Sequence, residues 1–315
     1  MVIFVFVLAS LALAALIVLA LRRVPGPAPA QPEPPIDVLR RAASASRRRI
    51  LIAALAGAGA AVLCAAADTV VPYSYGLPFL LAPAFFAIGT VVALTVIGVP
   101  APARDAPREV DLVARGPLRL GPRWSYVAPA AAALAAIAFA IVAGLTSSPT
   151  QDGHWRGFTL LVANGSSTSS PYPGWYYGIP LMIVTALLLA ATCAALVRFS
   201  SAPLRGTPGD REFAILVRRR LTRFVLLAAT GSILVYLGSA LTVAGMAVST
   251  ASAPNLADAG DGALQILGGA LFIGGMLFAV FGAALVVASI QVGVAAGNPT
   301  AAARDAARTS SGAAA

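Results

Sequence analysis

Residues 218–248 read RRRLTRFVLLAATGSILVYLGSALTVAGMAV: four arginines, Arg218, Arg219, Arg220 and Arg223, and then 25 residues from Phe224 to Val248 without a single charge. A helix rises about 1.5 Å per residue, so this run can cross the roughly 30 Å hydrocarbon core of a bilayer. Guanidinium groups are expelled from that core and collect at its margin. Arginine cluster and apolar run together predict a membrane-spanning helix with its start pinned at one face.

The same alternation extends over the chain. All 22 basic residues are arginine, and 21 of them fall in four patches. These are Arg22 to Arg49, Arg104 to Arg123, Arg198 to Arg223, and Arg304 with Arg308. Seven uncharged runs lie between and before them: Val2 to Leu21, Ile50 to Ala67, Pro78 to Val99, Tyr126 to Leu145, Ile179 to Val197, Phe224 to Val248, and Leu264 to Val292. Basic residues mark cytoplasmic connections, so seven spans place the amino terminus outside and the carboxyl terminus in the cytoplasm. The opposite connections carry Asp68, Asp152, Asp258 and Asp261; Arg156 is the one arginine on that side.

With 59% apolar and 11% charged residues, the chain could not keep a soluble surface wet. The formal charge of +10 is therefore read as topology and as attraction to anionic lipid at the inner arginine patches, not as a nucleic-acid surface. Ala28-Pro29-Ala30 resembles a signal-peptidase site, but no basic residue precedes the first apolar run and Arg22 and Arg23 follow it. A retained anchor is expected. Cys64 and Cys193 sit near opposite ends of their spans, too far apart in depth for a disulfide.

The expected fold is an all-α integral membrane protein of seven helices: one anchor plus three helical hairpins arranged as parallel repeats. The divisions are an anchor over 1–21, a Pro/Arg-rich cytoplasmic linker over 22–49, hairpins over 50–123, 124–223 and 224–297, and a disordered cytoplasmic tail over 298–315. The repeat is carried by Tyr73-Ser74-Tyr75-Gly76-Leu77-Pro78 before the third span and Trp175-Tyr176-Tyr177-Gly178-Ile179-Pro180 before the fifth. On the inner side, Ala101-Pro102-Ala103-Arg104 matches Ala202-Pro203-Leu204-Arg205. Before each hairpin an aliphatic stretch ends in arginine, at 36–41, 110–115 and 213–220, and suits a short interfacial helix.

The outer aromatic motif is the best candidate site. A belt of Tyr and Trp at the interface needs no ligand; if the two copies face each other, Tyr73, Tyr75, Trp175 and Tyr177 line an outer vestibule. Gly231, Gly238 and Gly245 recur every seventh residue, as do Gly268, Gly275 and Gly282, which predicts a close antiparallel seam or, alternatively, a homo-oligomer contact. Tyr236, Ser239 and Thr242 run beside the first stripe and suit bonds to a neighbouring helix. His154, the only histidine, lies in Asp152-Gly153-His154-Trp155-Arg156 and reads as an exposed loop residue. Asp258 to Gly262 lacks the ligand alternation of a calcium loop and reads as a turn, and Asn164-Gly165-Ser166 is a chance sequon. No span carries an ionisable group away from its ends, and no catalytic or metal-binding constellation is visible.

These readings point to a non-catalytic structural, assembly or regulatory component of the plasma membrane, with no cofactor, no metal, and a membrane-protein partner or second copy. The alternative is a permease or channel-like protein for a neutral or apolar solute. A membrane-bound enzyme using Asp152 and His154 is the third class.

Overall fold

The computed structural model describes residues 36–98, 123–162, 165–201, 208–253 and 259–294. The first apolar run, the 99–122 connection with its 110–115 stretch, and the 298–315 tail lie outside them. The described chain is mostly helical: α1 (Ile36–Val70), α2 (Leu77–Ile97), α3 (Arg123–Leu145), α4 (Trp175–Ser201), α5 (Pro208–Ser252) and α6 (Ala259–Val294). All six are long and apolar enough to cross a membrane. Between α3 and α4 comes a feature that an all-α reading omits, an antiparallel meander of β1 (Ser148–Pro149), β2 (Trp155–Val162) and β3 (Gly165–Ser169). Cross-strand hydroxyls stitch it, Ser148 to Thr159 at 2.7 Å and Thr159 to Thr168 at 3.0 Å.

Successive helices pair as α1 with α2, α3 with α4 and α5 with α6, and α2 also packs on α4. α5 touches all five other helices. Its most apolar stretch is 78% buried, against 17% for those of α1 and α6, so α5 is the central rod and α6 is held mainly by α5 alone. Alanine dominates where the other helices meet it: Ala84, Ala87, Ala132, Ala133, Ala136, Ala140 and Ala229 are buried with Leu81, Leu188 and Ile233. Small side chains let backbones approach, which matters when lipid tails are as apolar as leucine and no hydrophobic drive remains between helices.

Two of the expected interfacial helices are not separate elements. Residues 36–41 run straight into α1 and 213–220 into α5, which is 45 residues long, about 68 Å at 1.5 Å per residue. The reason is packing: Ala42, Ile50, Val217, Leu221 and Phe224 form one buried cluster with Phe199 at the arginine end. Burying both helices there outweighs bending either onto a surface. Residues 36–49, assigned to the linker from sequence, are accordingly helical.

The glycine stripes meet across the α5–α6 crossing. A Cβ placed on Gly231 would lie 2.7 Å from the Gly282 carbonyl oxygen; one on Gly238, 2.5 Å from that of Gly275; and one on Gly245, 2.5 Å from that of Gly268. Seven residues are nearly two helical turns, so each stripe stays on one face and the pairs run antiparallel in strict register. Close approaches also occur in the other hairpins. A Cβ on Gly89 of α2 would sit 3.1 Å from Gly57 Cα of α1, and one on Gly178 of α4, 3.2 Å from the Ala140 carbonyl oxygen of α3.

Beside the stripe, Tyr236 bonds across to α4, its hydroxyl 2.6 Å from Thr185 Oγ1, whereas Ser239 and Thr242 turn back to carbonyls of their own helix. Thr185 donates its one proton to the Leu181 carbonyl at 2.6 Å, so Tyr236 is the donor to Thr185. Tyr236→Phe should lower unfolding free energy by about 0.6 to 1.7 kcal/mol, the range for interhelical bonds in lipid. Titrating the folded protein with a denaturing detergent measures it, and an unchanged midpoint would remove the bond's role.

Candidate functional site

Opposite the arginine end, the two aromatic motifs come together, and they do so in different conformations. The first is a turn: Tyr73 (φ 61°), Tyr75 (φ 49°) and Gly76 (φ 78°) are all left-handed before α2 begins at Leu77, with Pro78 in its first turn. Side chains other than glycine's are crowded in that region, so two tyrosines there need external support. Asp68, near the end of α1, supplies part of it, accepting from Ser74 Oγ at 2.5 Å and from the Gly76 amide at 3.2 Å. The second motif is already helical, α4 beginning at Trp175.

The helical copy holds the turn. Tyr177 Oη donates to the Tyr75 carbonyl at 2.8 Å, and Tyr176 Oη lies 3.1 and 3.2 Å from the carbonyls of Tyr73 and Ser74. Two phenols of one hairpin tip thus face three carbonyls of the other, of which that of Ser74 also accepts from the Leu77 amide at 3.0 Å. Of the four vestibule residues named from sequence, Tyr73, Tyr75 and Tyr177 are brought together, with Tyr73 77% exposed. Trp175 is elsewhere, its indole lying on Gly144 of α3, where a Cβ would be 2.6 Å from the ring.

The meander closes over this junction. Tyr75 Oη donates to Asp152 Oδ2 at 2.6 Å, and Arg156 Nη2 donates to the same oxygen at 2.7 Å. The Arg156 guanidinium carbon stands 3.6 Å above the Tyr75 ring centroid, a cation–π geometry, while Nη1 reaches Ser170 at 3.1 Å. Hydrogen bonds from Thr150, Tyr75 and Arg156 hold the Asp152 carboxyl well below the usual carboxylate range. The bond to Asp152 correspondingly raises the Tyr75 phenol. His154 completes the aromatic group, its ring 5.1 Å from Tyr176 and 6.1 Å from Tyr75.

Tyr176, Asp152 and Arg156 were not singled out for this site from sequence. Arg156 carried the signal, being the arginine that departs from the topological pattern: it is held by a carboxylate and a ring instead of by a membrane face. The meander had a signal too, since Asn-Gly between an aromatic and aliphatic run and a Ser/Thr run marks a hairpin. Among the described residues, no three of His, Cys, Asp or Glu gather as metal ligands. Asp258 lies outside the described residues, and Gly260 to Gly262 belong to the first turn of α6.

Chemically, the arrangement is a clamp. The phenols of Tyr75, Tyr176 and Tyr177 and the Asp152 carboxylate are all bonded within the chain, and three separate elements, the 71–76 turn, the head of α4 and the meander, are tied at one point. Comparison with protein-family models, with curated proteins and with solved structures finds no match to this chain.

Proposed function

We propose that the chain is a non-catalytic structural, assembly or regulatory component of a plasma membrane, crossing it seven times. In this reading Val2 to Leu21 is the first span, the arginine end is cytoplasmic, the clamp faces outside, and the hairpins of 50–123 and 124–223 are parallel repeats. The observation that carries the reading is the bonding of the two aromatic motifs to each other. Tyr176 and Tyr177 are occupied with the carbonyls of Tyr73, Ser74 and Tyr75, which supports a platform held rigid outside the bilayer over one held open for a solute. Leu161 on β2 stands 89% exposed on that platform and is the position at which contact with a membrane-protein partner is tested. The arginines then attract anionic lipid on the other side.

Affinity purification from mild detergent tests this. Stoichiometric recovery of a second membrane protein, lost with Leu161→Asp, is the expected result. Reproducible isolation of a lone monomer would sink the proposal.

The permease reading keeps one supporting observation, that Tyr75 and Tyr177 meet where the first two hairpins join. Under it, Tyr75→Ala and Tyr177→Ala impair uptake of a neutral solute without lowering folded protein.

A further inference from the structure

At the arginine end, a recess of about 580 Å³ opens between α1 and α2, lined by Ser44, Ala45, Arg48, Arg49, Ile52 and Ile97. Its chemistry changes over one helical turn. Arg48 and Arg49 form the upper wall; Ile52, 45% exposed, and Ile97, 36% exposed, form the lower one. This is the level at which the uncharged run of α1 begins. Arg49 Nη1 donates to the Ala45 carbonyl at 3.2 Å, but its Nε is buried without a partner. Among the described residues no carboxylate pairs with Arg48 or Arg49. A third guanidinium, from Arg198 of α4, lies against Gly98, next to Ile97.

We propose that this recess is a binding site for one anionic phospholipid. Its phosphodiester would be held by Arg48 and Arg49, and the first methylenes of its chains would lie on Ile52 and Ile97. The buried, unpartnered Nε of Arg49 beside the Arg48 guanidinium, with no carboxylate on either among the described residues, suits an anion, and Arg forks match phosphate oxygens. The isoleucines say which phosphate: a free ion gains nothing from an apolar floor, whereas a glycerophospholipid covers both walls at once. The site rests on the reading above that the arginine end attracts anionic lipid, but not on the partner role, because it lies at the other end of the bundle and needs no second protein.

Native mass spectrometry of the full chain in mild detergent tests it, with titrated phosphatidylglycerol, phosphatidylcholine and inorganic phosphate. Phosphatidylglycerol should be retained in preference to phosphatidylcholine, and millimolar phosphate should not displace it. Each guanidinium near an anionic headgroup contributes roughly fivefold, so Arg48→Gln with Arg49→Gln should weaken retention about 25-fold, and exposed Arg219→Gln about twofold or less. Ala45→Trp fills the recess and leaves every charge in place; it must also weaken retention, and it decides the matter if the double variant does not fold. Equal retention of the two lipids, an equal loss with Arg219→Gln, or displacement by phosphate would overturn the proposal.

Discussion

Gly238→Ala should part α5 from α6, and it should do so although alanine is the better helix former. The added methyl would meet the Ala279 amide nitrogen and lie 2.5 Å from the Gly275 carbonyl oxygen, both backbone atoms that no rotamer change can move. The crossing must open along its length, and with it go the dispersion and Cα–H···O contacts that hold helices together in lipid. Overpacking usually costs 1 to 3 kcal/mol; backbone against backbone belongs at the upper end, about 3 kcal/mol. Gly274→Ala, one residue from the seam, is the internal control. Its Cβ would meet nothing within 4 Å, so the substitution should be neutral or add up to about 1 kcal/mol from helix propensity. Denaturing-detergent titration of both variants separates helix propensity from close approach. Similar midpoints for the two would refute the seam.

Arg156→Ala should release the meander from the hairpin tips. It removes the ion pair to Asp152, the bond to Ser170 and the cation above Tyr75 in one step. Limited proteolysis within 150–170 should speed up roughly tenfold while the helical bundle stays intact, since a segment opens locally at a free energy set by the few bonds that tie it down. Arg156→Lys should recover part of the effect, keeping a charge but not the planar fork. The pH dependence follows from Asp152. Its carboxyl is depressed in the folded state, so the stability it contributes is present above the ordinary carboxylate value of about 4 and is lost as pH falls below it. Cleavage should therefore be flat from about pH 5 to 8 and rise only in stronger acid. A step between about pH 5 and 8 would overturn the assignment to Asp152.

The six helices were legible because each contains a long uncharged run, a signal set by the bilayer and not by tertiary detail. The seven-residue glycine spacing was legible for the same kind of reason: a period names a face. Gly57 and Gly89 were not, since Gly57 with Gly59 in α1 and Gly89 alone in α2 set up no seven-residue period, and a close approach appears only when the partner is in place. The starts of α1 and α5 were misjudged because arginine near an apolar run looks like a surface segment. Val217 and Leu221, spaced a turn apart, are buried with Arg218 and Thr222 beside them, while Arg219 and Arg223 stay exposed. The clamp was half legible: the Tyr-Gly-Pro motifs drew attention to the right place, but which hydroxyl meets which carbonyl depends on Tyr73 and Tyr75 taking left-handed backbone, which sequence disfavours.

The central place of α5 also fixes an order of events during synthesis. The two earlier hairpins leave the ribosome before the rod on which their alanine-lined faces close, and α6, leaning almost wholly on α5, comes after it. Until residue 252 has emerged, the four described helices that precede it must wait in the bilayer with hydroxyls such as that of Thr185 lacking Tyr236 across from them. Nascent chains arrested short of that point should accordingly be prime substrates for membrane quality-control proteases, and those arrested just beyond it should survive.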